Sequence, residues 1–249
     1  MIVTSRRLYV VLGLAVIVAV ACGGGGAGML DPERDGGPDY QVEGVDPSVL
    51  CPDATVLSSG MMLSAAGIAD DVLAAQRAPD PQRRLADYED WGRVTGYFAQ
   101  WSFVSPSALT QEELAELSEE EAAAARERAR QEALANPFLS ANCSVELYET
   151  AQGARQAFAA QAGEARNPPA DTGGFRPAVS ERSDPGIGSE SIDLVYGYPT
   201  FSVFVVHFRA RNIIGSVTVI ASGDGAANYA ELLAEDLVRR LDEALKPGG

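Results

Sequence analysis

The amino-acid sequence predicts an α+β fold, a two-layer sandwich in which a mainly antiparallel sheet is packed by helices on one face. Three strand-like segments, 191–198, 200–210 and 212–221, follow one another with short connections, and short connections favour antiparallel pairing. Segments with apolar residues at helical spacing stand before and after them, at 150–162 and 226–245. Because the apolar face of a sheet is buried against another layer, helices packed on a sheet are the expected architecture.

The first elements of the folded region are predicted to be a helix and a strand. Met61, Ala65 and Leu73 belong to a set of apolar residues at helical spacing, which predicts a helix over 54–76. A polar link follows. A run rich in Thr, Tyr, Phe, Trp and Val then predicts a strand over 92–104, because aromatic and β-branched side chains suit a pleated surface.

A charged helix is predicted over 110–135, inside an insertion that spans 107–137. Thr110 and Glu113 form a capping box at its start. Its first half is acidic and its second half holds three arginines, which matches the helix dipole. The apolar stripe is thin, so we expect this helix to lie on the surface.

The second half of the chain alternates between strand and helix patterns. A strand at 143–149 leads into the helix at 150–162, and a loop rich in Pro, Gly, Asp and Ser follows at 164–188. After the three strands, leucines at helical spacing predict a closing helix over 226–245 with one buried stripe.

The chain begins with an export signal. Arg6 and Arg7 precede an apolar run at 8–21, which is shorter than the ~20 residues that span a bilayer and suits the apolar region of a signal peptide. The residues Ala-Val-Ala before Cys22 resemble the lipobox of bacterial lipoproteins, and this resemblance implies cleavage before Cys22 and its lipidation. An uncleaved signal anchor and an ordinary cleaved signal are the alternatives. The two arginines also resemble a twin-arginine motif, so either export route fits.

This interpretation divides the chain into three parts. Residues 1–21 are the predicted signal peptide, and residues 22–45, rich in glycine and breakers, are the predicted flexible tether. Residues 46–249 are the predicted single domain, of a length that suits one core. The predicted location is the extracytoplasmic face of the cell membrane, with the membrane reached through the N-terminal lipid.

The net charge and the cysteine content exclude one class of partner and predict one covalent cross-link. The formal net charge is −16, and nucleic-acid binding relies on clustered Lys and Arg, so nucleic acid is excluded as a partner. Besides Cys22 the chain has two cysteines, Cys51 and Cys143. In an exported protein such a pair predicts a disulfide, and two buried free thiols are the alternative.

Five stretches resemble the extracellular sensor domain of PknH-type bacterial receptor kinases and related exported lipoproteins. They are L-S-S-G-M-M-L-S-A-A-G-I (57–68), C-S-V-E-L-Y-E-T-A-Q-G-A-R-Q-A-F (143–158), G-I-G-S-E-S (186–191), V-H-F-R-A-R-N-I-I-G-S-V-T-V (206–219) and A-E-L-L-A-E-D-L-V-R-R-L (230–241). The resemblance implies a domain without enzymatic activity that presents a cleft between sheet and helices to a ligand. This chain departs from those sensors by having one candidate disulfide where they have two.

No catalytic, metal or cofactor site is predicted. His207 is the only histidine, and neither a Ser-His-Asp triad nor a zinc site can be assembled around it. The D-T-G at 171–173 and the G-D-G-A-A-N at 223–228 are predicted to be turns. If the fold has a cleft, six residues are candidates to line it, although each also suits packing or the surface: His207, Arg209, Tyr97, Trp101, Tyr196 and Tyr198.

The predicted function is a lipid-anchored, non-catalytic binding or sensor-like domain for an unknown small-molecule or lipid ligand. The first alternative is a structural or scaffolding subunit of a cell-envelope complex, which would dock an envelope protein through helix 110–135. The second alternative is a hydrolase with an unrecognised site, which ranks lowest because a single histidine supplies no assembled nucleophile–base pair.

Overall fold

The computed structural model describes residues 38–245, except for 54, 77, 106, 171–173 and 223–225. The predicted signal peptide, Cys22 and residues 22–37 of the predicted tether lie outside the described residues. So do the D-T-G motif and the first three residues of G-D-G-A-A-N. Among the described residues, no helix combines the length and apolar character needed to cross a membrane.

One seven-stranded sheet forms the centre of the molecule, and all of its neighbouring strands are antiparallel. The strand order is β1-β2-β3-β7-β6-β5-β4. The strands are β1 (Met61–Ile68), β2 (Arg93–Phe103), β3 (Phe138–Tyr148), β4 (Ala178–Glu181), β5 (Glu190–Gly197), β6 (Ser202–Ala210) and β7 (Ile213–Ala221). The predicted α+β fold with a mainly antiparallel sheet is therefore confirmed.

Six α-helices accompany the sheet in the described part of the chain. They are α1 (Asp71–Ala75), α2 (Pro81–Trp91), α3 (Gln111–Ala115), α4 (Glu119–Ala135), α5 (Ala151–Arg166) and α6 (Ala226–Ala244). The predicted charged surface helix is present as the pair α3 and α4. It is divided because Ser118 and Glu121 form a second capping box behind the predicted one at Thr110 and Glu113.

The helices lie on both faces of the sheet, whereas the sequence pattern suggested one. On β6, Phe204, Val206 and Phe208 belong to the core beneath α6, and Val203 and Val205 belong to the core beneath α5. All but the first residue of β6 are buried. An antiparallel strand covered on both sides has a continuous apolar run in place of alternation, and the sequence of β6 has that run.

The predicted helix over 54–76 is wrong, because the middle of this segment, Met61–Ile68, is the edge strand β1. Met61 pairs with Phe103 and Ile68 pairs with Tyr97 on β2. Only Asp71–Ala75 is helical. Six of the eight residues of β1 are exposed, so no buried alternation distinguishes the strand in the sequence, and its pairing with β2 decides the conformation.

The polar link before β2 contains a helix that the sequence analysis did not predict. Asp80 caps α2, accepting a hydrogen bond from Arg83 N, and Pro81 opens the helix. Gly92 ends it at φ +67°, the left-handed conformation that favours glycine. This helix packs against α5 and forms part of the site described below.

The disulfide predicted between Cys51 and Cys143 is present. It joins the segment after a short 3₁₀ helix (Pro47–Val49) to the middle of β3, on the face of the sheet that α6 covers. Tyr40, ahead of the predicted domain boundary at residue 46, is also buried there, and its backbone exchanges hydrogen bonds with the Asn212 side chain.

Candidate ligand-binding site

A cavity of about 330 Å³ lies on the face of the sheet that α5 covers. Strands β2, β3, β7 and β6 form its floor, and helices α2 and α5 form its wall. Six uncharged polar side chains on those four strands distinguish the floor from the apolar cores: Gln100, Asn142, Ser144, Ser216, Thr218 and His207.

Strand register brings these polar side chains together in two adjacent rows. In one row Ser144 of β3 pairs with Ser216 of β7, which pairs with His207 of β6. In the next row Gln100 of β2 pairs with Asn142 of β3, which pairs with Thr218 of β7. Directly paired residues have Cβ atoms ~5 Å apart on the same face of a sheet, so the rows form one continuous polar surface.

The wall of the cavity contains a buried ion pair between the two helices. Arg84 of α2 donates a hydrogen bond to Glu164 of α5, and both side chains are almost inaccessible. The Arg84 guanidinium also lies over the Trp91 ring, 5.4 Å from the ring centroid. Burial raises the pKa of Glu164, against the charge of Arg84, which lowers it. The pair holds α2 and α5 together at the cavity.

The inner end of the cavity is closed by a network around Glu146. Tyr148 Oη and Gln161 Nε2 each donate to Glu146 Oε2 at 2.7 Å, and Arg93 Nε lies 3.5 Å from Oε1. Arg93 is itself fully buried and donates to Asp71 Oδ1 at 2.6 Å. Burial acts to raise the pKa of Glu146, but the charge of Arg93 and the two hydrogen bonds outweigh it and hold that pKa below its usual value.

His207 makes no ion pair with these groups, and its buried Nε2 has no hydrogen-bond partner among the described residues. The residue is 6% exposed and lines the cavity. Burial lowers the pKa of His207 to about 4, although the charge of Glu146 acts in the opposite direction. The imidazole is therefore neutral at pH 7.

The six residues proposed from the sequence to line a cleft fall in different places. His207 and Tyr196 line the cavity on the side of α5, where Tyr196 Oη donates to the backbone oxygen of Ala165 at 2.7 Å. Arg209 lies on the same face but beyond the cavity, fully buried and ion-paired with Glu190.

The other three aromatic residues are turned elsewhere. Tyr97 borders the cavity, but its ring packs against the core on the opposite face of the sheet, and Trp101 is buried in that core. Tyr198 follows β5 and stacks on Phe201, with ring centroids 4.6 Å apart, in the apolar cluster beneath α5 and outside the cavity lining. The roles of all six residues stay predictions.

Five of the six floor residues were not identified from the sequence. The signal that could have found them is a polar residue at every second position of an otherwise buried strand, as in Asn142, Ser144 and Glu146 of β3 or Ser216 and Thr218 of β7. In a strand covered by a helix such positions are normally apolar.

The chemistry of the floor is that of binding through hydrogen bonds. Amides and hydroxyls both donate and accept, and a neutral imidazole does one with each nitrogen. In the described part of the chain, no group of three His, Cys, Asp or Glu side chains could hold a metal ion. Ser216 neighbours His207, yet Nε2 of the histidine has no hydrogen-bond partner, so the two do not form a nucleophile and base in contact.

Comparison with known proteins shows similarity in structure and none in sequence. No protein-family model matches the chain, and no curated protein has a significantly similar sequence. The crystal structure of the extracellular domain of PknH from Mycobacterium tuberculosis is similar to this one with a TM-score of 0.47 and 14% sequence identity, over 80% of this chain and 97% of that chain. The resemblance inferred from the sequence was to the same domain.

Proposed function

We propose that this protein is an extracytoplasmic, lipid-anchored binding protein whose cleft holds a small polar ligand without chemical turnover. The observation that carries the proposal is the polar floor of the cavity, where six uncharged polar side chains, His207 among them, lie on four strands beneath a helix. Such positions normally hold apolar side chains, which stabilise the fold more, so a fold that keeps polar side chains there needs a compensating use for them.

The position of the polar floor supports the same function. Ser144, Ser216 and His207 occupy the central strands β3, β7 and β6, where apolar side chains would stabilise the sheet more. The alternate residues of the same strands, such as Val145 and Val217, are fully buried and apolar in the core on the opposite face of the sheet. The polar side chains therefore lie on the face that borders the cavity, which supports a binding role.

The protonation state of His207 favours binding over acid–base catalysis. A general base works best with a pKa near the working pH, and the pKa of His207 is lowered to about 4. The nearest carboxylate network, around Glu146, is occupied by Arg93, Tyr148 and Gln161. A neutral imidazole with a free nitrogen is a hydrogen-bonding group for a ligand.

Native mass spectrometry of the full lipoprotein, solubilised from membranes of the producing cell, tests the cleft. Ser144→Trp fills the cavity floor, and Ser180→Trp places the same side chain at an exposed position on the edge strand β4. We expect a non-covalent adduct on the wild type and on Ser180→Trp that is missing from Ser144→Trp. An adduct that survives Ser144→Trp, or a wild type without any adduct, would show that the cleft does not hold a ligand.

The anchor is tested by metabolic labelling with a palmitate analogue. Cys22→Ala should lose the label and leave the membrane fraction, because two or more acyl chains are needed for stable anchoring. The control is the Cys51→Ser, Cys143→Ser variant, which keeps Cys22 and should keep the label. Label retained on Cys22→Ala would contradict the lipoprotein proposal.

A second candidate function is a scaffolding subunit of an envelope complex that docks through residues 110–135. It is favoured by the exposure of α3 and α4: of their residues whose burial is described, only Ala122 is buried. Reversing the exposed Glu119 and Glu120 to lysine should release a co-purifying partner if α4 is the docking element. An unchanged complex after this substitution would remove the reason for this candidate.

A further inference from the structure

We propose that the ligand of this cleft is uncharged and polyhydroxylated, of mono- or disaccharide size, and that it binds through hydroxyl groups to Asn142, Thr218, Ser216 and His207. This inference rests on the proposed binding function and adds to it the chemical class of the ligand. Three properties of the cavity carry it: the balance of its charges, the kind of polar groups left free, and its size.

The charged side chains that line the cavity already neutralise one another. They are two arginines, Arg84 and Arg93, and two glutamates, Glu146 and Glu164. Arg84 is paired with Glu164, and Arg93 is paired with Asp71 and lies next to Glu146. A charged ligand group would lose its hydration here without gaining a counter-charge, and this is costly in a buried site.

The polar groups that stay free have a mixed donor and acceptor character. The side chains of Gln100, Asn142, Ser144, Ser216 and Thr218 make no hydrogen bond to another described residue, and Nε2 of His207 makes none either. Amides and hydroxyls offer donors and acceptors side by side. A ligand hydroxyl also does both, so several hydroxyls on one small ring satisfy such a surface without any net charge.

The size of the cavity and one aromatic side chain of its floor fit a sugar ring. The volume of about 330 Å³ is near the lower end of the range for ligand pockets, which is ~300–1,000 Å³. Phe98 lies in the row of Ser144 and Ser216 and borders the cavity. A pyranose presents hydroxyls at its edge and C–H groups on its faces, which matches a polar floor beside an aromatic ring.

The test is a comparison of neutral and charged sugars on the full lipoprotein in detergent. The neutral probes are glucose, mannose, galactose, trehalose and inositol. The matched charged probes are the 6-phosphate of each of the four sugars and inositol monophosphate, with glucosamine and glucuronate added for glucose. Saturation-transfer NMR at millimolar concentration detects binding, and calorimetry gives Kd. We expect at least one neutral probe to bind, and its charged counterpart to bind more weakly.

Matched variants place the binding in the cleft. Thr218→Val and Ser216→Ala should each weaken the neutral probe by about threefold to tenfold, the effect of one lost hydrogen bond. Thr95→Val is the control, because Thr95 pairs with Leu147 on the opposite side of the sheet. Unchanged thermal unfolding of the variants shows that they are folded. If Thr218→Val does not fold, Ser216→Ala still tests the site.

Two outcomes overturn the inference. The first is a charged probe that binds as tightly as its neutral counterpart or more tightly, and the second is the absence of binding by every neutral probe. Neither removes the proposed function, which fails only if the adduct experiment with Ser144→Trp also fails. A neutral probe that still binds when coupled to a carrier through its anomeric oxygen identifies the end of a glycan as the ligand, whereas binding of the free sugar alone identifies a solute.

Discussion

The imidazole of His207 stacks on the ring of Phe158, with the ring centroids 4.9 Å apart and the planes at 11°. Phe158 belongs to α5 and His207 to β6, so the contact joins the helical wall of the cleft to its floor. The stack fixes the plane of the imidazole while Nε2 stays free of protein partners. The cleft therefore contains one buried imidazole whose plane is fixed by a contact with the helical wall.

Removing His207 should make the stability of the protein less sensitive to acid. Its pKa is about 4 in the fold and 6.5 in the unfolded chain, so the unfolded state binds the proton first as the pH falls. The contribution of His207 to the free energy of unfolding is present above pH 6.5 and is lost as the pH falls through about 4. At ~1.4 kcal/mol per pKa unit, this contribution is about 3 kcal/mol. Chemical unfolding of the wild type and His207→Phe between these pH values measures it.

The chain offers a clean control for this measurement. No other histidine is present, so the histidine part of the pH dependence belongs to His207 alone. Ser202→Ala on the same strand should leave the pH profile unchanged. A profile of His207→Phe that is parallel to the wild type would show that His207 is accessible to protons in the fold.

Breaking the buried ion pair of the wall should destabilise the protein much more than breaking an exposed one on the same helix. Glu164→Gln leaves Arg84 charged and buried without its partner, and we expect a loss of about 3 kcal/mol. Glu181→Gln breaks the pair with Arg166, whose side chains are 44% and 42% exposed, and should cost at most about 1 kcal/mol.

The double variant Arg84→Met, Glu164→Leu distinguishes the effect of the ion pair from the effect of the packing of these side chains. Replacing both charges by apolar groups of similar volume is often neutral for stability, so this variant should recover most of the loss. Urea unfolding of all three variants gives the comparison. Equal losses for Glu164→Gln and Glu181→Gln would mean that water reaches the Arg84 pair.

Two glycines of α5 should respond to alanine with opposite signs. A Cβ on Gly153 would lie 1.9 Å from the backbone oxygen of Trp91, so Gly153→Ala forces α2 away from α5 and destabilises the protein. A Cβ on Gly163 would meet nothing within 4 Å, so Gly163→Ala should stabilise it by about 0.5–1 kcal/mol through the higher helix propensity of alanine. Thermal unfolding decides both, and a destabilised Gly163→Ala would contradict the open space beside that residue.

Reduction of the disulfide, which lies on the face of the sheet opposite the cleft, should lower the free energy of unfolding of the protein. The Cys51–Cys143 bridge closes a loop with a sequence separation of 92, for which the chain-entropy model gives ~4–5 kcal/mol as an upper value. Cys51→Ser, Cys143→Ser should unfold at lower urea concentration than the oxidised wild type. Dithiothreitol should lower the wild type to the level of the variant and leave the variant unchanged. An effect of dithiothreitol on the variant would point to another target.

Asp193 should give a pH dependence opposite to that of His207. Burial raises its pKa from 3.8 to about 6, and Glu231 adds to the shift while Arg182 opposes it. Its stabilising contribution is complete below pH 3.8 and is lost as the pH rises through about 6. Asp193→Asn should therefore gain stability relative to the wild type between these values, by about 2 kcal/mol.

The same unfolding experiment with Asp90→Asn is the control for Asp193. Asp90 is exposed near the end of α2, so Asp90→Asn controls for the loss of one surface carboxylate. If Asp193→Asn lost stability steadily as the pH rose, the pair with Arg182, 2.9 Å away, would outweigh burial.

Elements with strong local signals were predicted correctly from the sequence. The leucine stripe of α6 and the capping box at Thr110 and Glu113 depend on residues within a few positions of one another, so the local chain carries the information. The aromatic and β-branched runs of β2, β5, β6 and β7 are of the same kind. The edge strand β1 has no such signal, and its helical pattern was misleading because pairing with β2 decides its conformation.

The cleft was predicted only in outline, because its floor comes from four strands that are far apart in the chain. Asn142 and Thr218 are 76 positions apart in the sequence and directly paired in the sheet. No local pattern indicates which polar residues will become neighbours, since strand register depends on the packing of both faces. His207 was the one floor residue identified, because it is the only histidine.

The sequence by itself determined the acidic charge, the export signal pattern, the cysteine pair and the identity of most helices and strands, because these depend on composition and short-range order. The tertiary structure decided that β1 is a strand and that α5 and α6 cover opposite faces of the sheet. It also decided that His207 pairs with Ser216 in a cavity whose charged side chains are paired with one another. Those properties depend on which distant segments pack together. The free energy of folding that favours this packing comes from contacts throughout the sheet and both of its helical layers.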